Sequence, residues 1–69
     1  MLTEVKSAPQ ATAIAESFVS KHRFFSRPLS AERDDGNWVV KIDIGQLAKV
    51  VATIKIDAKT GEILEYDMP

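Results

Sequence analysis

His22 is the single histidine of the chain, the residue type most often used as a general acid or base. To act as a general acid or base it needs an oriented partner within hydrogen-bond reach. Its neighbours Lys21 and Arg23 are both cations, so packing or capping at a helix end is the plainer role. Asp34 and Asp35 are adjacent carboxylates, the raw material of an acid–base pair or a metal site. They fall in a turn signal, where Asp is favoured because it bonds the local backbone. Asp57 and Glu62 flank a second turn. A calcium loop needs more oxygen donors at set spacing, and with no cysteine in the chain thiolate metal sites and disulfides are excluded. Lys21, Arg23 and Arg27 form a local basic cluster that could meet phosphate or an acidic partner. With a net charge of −1, a solvated helix end is the simpler account. Gly36, Gly45 and Gly61 lie too far apart for a phosphate-cradling loop. The chain is therefore expected to be non-catalytic, with no cofactor and no bound metal.

Nine basic and ten acidic residues also argue against nucleic acid, since phosphate neutralisation usually demands a basic excess. No apolar run approaches the roughly 18 residues of a membrane span. Met1–Ser7 lacks a charged-then-apolar signal pattern, which fits a cytoplasmic chain, or an extracytoplasmic one if it is a processed fragment. Sixty-nine residues, 45% hydrophobic and 28% charged, suit one small folded domain. A core of that size rarely yields more than roughly 3–5 kcal/mol net.

The elements that must position these residues are readable from periodicity. Trp38, Val40, Ile42 and Ile44 share one parity, as do Val50, Ala52, Ile54 and Ile56. Alternate side chains of a strand face opposite sides, so Trp38–Ile56 reads as a hairpin with one apolar face. Pairing Ile44 with Val50 aligns Ile42 with Ala52, Val40 with Ile54 and Trp38 with Ile56. Upstream, Asp35-Gly36 marks a two-residue turn. It pairs Arg33 with Trp38, Ala31 with Val40 and Leu29 with Ile42. Trp38 is an interface anchor by type and a core residue by parity; parity favours the core.

Ser7 and Gln10 match a capping box, and Pro9 falls in the first helical turn. A helix is expected from about Ala8 to Phe24, with Ala11, Ile14, Ala15, Phe18, Val19 and His22 on its apolar face and Phe18 as main anchor. Met1–Lys6 reads as a frayed arm or an extra turn. After a turn at Gly61, residues 63–67 return as a fourth strand. Leu64, Tyr66 and Met68 are expected inside, with a bulge near Gly61 absorbing the odd residue.

The predicted architecture is α+β: one N-terminal helix (about 8–24) packed on a four-stranded antiparallel meander (about 29–33, 38–44, 50–57 and 63–67). The uncovered face carries Ser30, Glu32, Val39, Lys41, Asp43, Val51, Thr53 and Lys55. Val39, Lys41, Val51, Thr53 and Lys55, with Leu47 at a hairpin tip, are the candidate partner contacts.

The capped Ala-rich helix, the run W-V-V-K-I-D-I and the ending I-K-I-D-A-K-T-G-E-I-L resemble the PepSY domain. Asp57–Leu64 is the most recognisable part, and the resemblance covers about residues 7–67. PepSY domains are small α+β modules of metallopeptidase propeptides and cell-envelope proteins. They have been proposed to bind and restrain peptidases. The resemblance implies a non-catalytic module that binds a protein or peptide, with a peptidase as the partner it would modulate. It carries over no active-site residue. A weaker similarity, to gas-vesicle accessory proteins, implies a structural role, but their arginine-rich ending is missing here. The alternative function is an assembly domain acting as a homodimer.

Overall fold

The computed structural model describes residues 4–23 and 25–69. Helix α1 spans Ala8–Val19, followed by strands β1 (Arg27–Asp34), β2 (Asn37–Asp43), β3 (Val51–Asp57) and β4 (Ile63–Asp67). The strands form one antiparallel sheet in the order β1-β2-β3-β4, with α1 on one face. The fold is α+β, as the periodicity predicts.

The sheet rows follow from the alternation. Ala31, Val40, Ile54 and Tyr66 line up across the four strands, and Arg33, Trp38, Ile56 and Ile63 form the next row. Val40, Ile42, Ala52, Ile54 and Ile56 are completely buried. The central β2–β3 register matches the sequence expectation, as do the pairs Ala31–Val40 and Arg33–Trp38; the two edge strands otherwise differ from it. In β1 the register shifts between Pro28 and Ser30, so Pro28 rather than Leu29 faces Ile42, and Leu29 is 39% exposed. In β4 the shift lies between Ile63 and Glu65, at Leu64 and not near Gly61. Ile63 therefore joins the helix side in the row next to Tyr66, while Leu64 and Tyr66, both expected inside, are 43% and 60% exposed; Met68 is partly buried. A bulge inserts one unpaired residue and leaves the remaining alternation intact.

The helix begins as expected: Ser7 Oγ accepts from the Gln10 N–H at 3.4 Å, and Gln10 Oε1 accepts from the Lys6 N–H at 2.6 Å. It ends at Val19, well short of Phe24, which lies outside the described residues. Ser20 Oγ donates back to the Ser17 carbonyl at 3.0 Å. The N–H groups of Lys21 and His22 bond three residues back, to Phe18 and Val19. Such tightening is how helices terminate. Lys21, His22 and Arg23 thus lie beyond the last helical turn.

The buried stripe of α1 is narrower than expected: Ala11, Ala15 and Val19. Their small side chains let α1 lie over β1, β2 and β3, while its backbone stays clear of β4. Phe18 is consequently only half-buried, a flank rather than the anchor. It touches Tyr66 of β4 at 4.9 Å between ring centroids and His22 edge-on at 5.4 Å.

Val5, ahead of the helix, belongs to the core and not to a frayed arm. Val5 is 1% exposed. Its N–H donates to the Ala58 carbonyl at 2.7 Å, and its carbonyl accepts the Trp38 indole N–H at 2.9 Å. Residues 1–3 lie outside the described residues.

Candidate functional site

Among the described residues no three His, Asp or Glu converge on a common point, and none of the helices is long and apolar enough to cross a membrane. His22 is exposed and its ring neighbour is Phe18. Asp35 occupies the β1–β2 turn at φ 60, a conformation Asp tolerates better than most residues. Asp57 Oδ1 accepts from the Lys59 N–H at 2.8 Å, and Gly61 (φ 78) donates to the Asp57 carbonyl. The Asp57 carboxylate thus organises its turn, and Asp35 serves its own through backbone conformation. Arg27, of the basic cluster expected with Lys21 and Arg23, is engaged by Asp43 at 3.0 Å.

Asp43 departs most from expectation. Its parity suggested an open-face residue, yet it is 2% exposed. Its Oδ1 accepts from the backbone N–H groups of Gly45 (3.0 Å) and Val50 (3.2 Å), and its Oδ2 holds Arg27. With the Ile44 N–H on the Val50 carbonyl at 2.8 Å, this braces residues 44–50 as a closed loop. The N–H of Gly45, then that of Val50, then Arg27 hold the Asp43 carboxyl below its ordinary value of 3.8, against the opposing effect of burial. The folded form therefore gains from Asp43 ionisation. That gain is complete above the ordinary value and is lost as pH falls through the lowered folded one. Asp43→Asn is expected to flatten the loss of stability as pH falls below the ordinary carboxyl value of 3.8, read from urea midpoints. An unchanged slope would contradict this role.

Gly45 is required by space. A Cβ there would fall on the Ala48 carbonyl oxygen. Gly45→Ala should lower stability by about 1–3 kcal/mol, as overpacking does, and broaden the amide signals of residues 44–50. A neutral substitution would show that the loop is slack.

The candidate contacts divide into two places. Val39, Lys41, Thr53, Lys55 and Val51 lie together on the open face, in the rows Glu32–Val39–Lys55–Glu65, Ser30–Lys41–Thr53–Asp67 and Asp43–Val51. Lys55 pairs with Glu65 at 3.5 Å. Leu47 is apart from them, fully exposed at the tip of the braced loop. It borders a hollow of about 420 Å³ with Phe25, Ile44 and Val50.

Periodicity did not reveal the grooves beside the helix. Because α1 covers only part of the sheet, a cleft opens on each flank. One, of about 450 Å³, lies between α1 and β1 and is lined by Ala8, Thr12, Ala13, Glu16, Leu29 and Ala31, among others. The other, of about 390 Å³, lies towards β4 and is lined by Ile14, Ser17, Phe18, Lys21 and Ile63. Both adjoin strands whose outer edges are unpaired within the sheet. Comparison with family models, curated proteins and solved structures finds no match to this chain.

Proposed function

We propose that this chain is a non-catalytic module that binds an extended segment of a protein or peptide by strand addition. The carrying observation is an unpaired sheet edge with a small-residue groove alongside it. Backbone groups on such an edge supply affinity, and pockets for alternate side chains supply specificity. The PepSY resemblance adds the partner class: a peptidase whose activity the module would modulate. Selection of random peptides against the immobilised chain, followed by amide-shift mapping, should return extended sequences whose shifts fall on β1 or β4. Binders that shift only the open face or Leu47 would overturn strand addition.

A second reading, an assembly domain acting as a homodimer, is favoured by Leu47. A fully exposed leucine on a loop braced by a buried carboxylate is a ready anchor for another copy. Light scattering at micromolar concentration should then report a dimer that Leu47→Ser returns to monomer.

A further inference from the structure

We infer that β1 is the docking edge, and that its partner is an extended segment carrying two basic side chains at alternate positions followed by an apolar one. This rests on the strand-addition reading above and specifies its partner. Three observations converge on it.

The first is backbone regularity. Beyond its bulge, β1 runs unbroken from Ser30 to Asp34, whereas β4 keeps only Glu65–Asp67 beyond Leu64. The second is charge. Glu32 and Asp34 project on the open-face side of β1, are exposed, and make no ion pair among the described residues. On β4, Glu65 is already engaged by Lys55. Glu16 lines the β1 groove, while Lys21 lines the β4 groove. The third is space. Ala31 faces the helix side in the same row as Val40, and the groove above it is walled by Ala8, Thr12 and Ala13. An apolar side chain opposite Ala31 would fill it.

The same charges select against a second copy. In a two-fold antiparallel pairing of β1 with itself, centring on Glu32 opposes Glu32 to Glu32. Centring on Arg33 opposes Arg33 to Arg33 and Glu32 to Asp34. Centring on Ala31 runs into the bulge. Like charges directly opposite are destabilising. In an added antiparallel strand, residues opposite Asp34 and Glu32 are two apart, and the next one meets Ala31. The segment therefore reads basic, any, basic, apolar.

Two blocked synthetic peptides test this on the isotope-labelled full chain. One alternates lysine with threonine and places valine after the second lysine; the other has glutamate in place of each lysine. The lysine peptide should shift the amides of Ser30–Asp34 and bind about tenfold more tightly than the glutamate peptide, the order expected of two cross-strand charge pairs. Glu32→Gln with Asp34→Asn should abolish that preference, and Glu32→Lys with Asp34→Lys should invert it. Equal binding of both peptides at β1 would overturn the charge assignment and leave strand addition standing. Shifts confined to β4 would overturn the choice of edge. No shift on either edge strand at millimolar peptide would overturn both the inference and the strand-addition reading.

Discussion

Ile54→Ala is expected to remove most of the stability of this domain. Ile54 is completely buried in the central row, between Val40 and Tyr66. Truncating a fully buried isoleucine loses transfer energy and leaves a cavity, together about 2–5 kcal/mol. A core of this size rarely supplies more than roughly 3–5 kcal/mol net. The urea midpoint should therefore fall by about 40% or more, and at the upper end the variant is largely unfolded in buffer. Trp38, the only tryptophan, reports the transition. Leu47→Ala is the control. Fully exposed, it should change stability by no more than about 0.5 kcal/mol. A loss at Leu47 comparable with that at Ile54 would mean that the core is misassigned.

The second large effect concerns the segment before α1. Deleting residues 1–6 removes Val5, whose burial is worth about 1.5–3 kcal/mol. It also removes the carbonyl that accepts the Trp38 indole N–H, a hydrogen bond worth about 1 kcal/mol net. A combined loss of about 2–4 kcal/mol is expected, with a red-shifted Trp38 emission in the molecules that stay folded, because the indole then meets water. Val5→Ala separates the contributions. It keeps both backbone hydrogen bonds, so emission should stay in place while stability falls by less than in the deletion. A deletion that leaves both stability and emission unchanged would contradict the placement of Val5 under Trp38.

Which features were legible in the sequence follows from how far each reaches along the chain. The central rows were readable because alternation and turn chemistry select the same register, and slipping by one residue would expose the whole apolar set. The bulge at Leu29 was not, and the one expected near Gly61 falls at Leu64. An apolar bulge residue imitates an inward one, and edge strands absorb an extra residue that a central strand cannot. Val5 was invisible because M-L-T-E-V-K has no period, and its contacts are with Ala58 and Trp38, far along the chain. Asp43 did leave a signal: an Asp two residues before a backbone N–H it can accept from, that of Gly45, is the start of an Asx turn. Strand parity overrode that signal, although the loop folds back to bury the carboxylate. The grooves depend on where α1 lies across the sheet. The small residues Ala11 and Ala15 allowed a close approach but did not say over which strands.

Docking on this domain depends on an open β1 edge, and amide hydrogen exchange of the free chain tests that edge most directly. β2 and β3 are hydrogen-bonded on both sides, so their amides should exchange only through global opening. Alternate amides of β1, turned away from β2, should exchange orders of magnitude faster than their neighbours. Slow exchange at every position from Ser30 to Asp34, in dilute solution and without a partner, would mean that the edge is already covered, and the docking account would fail.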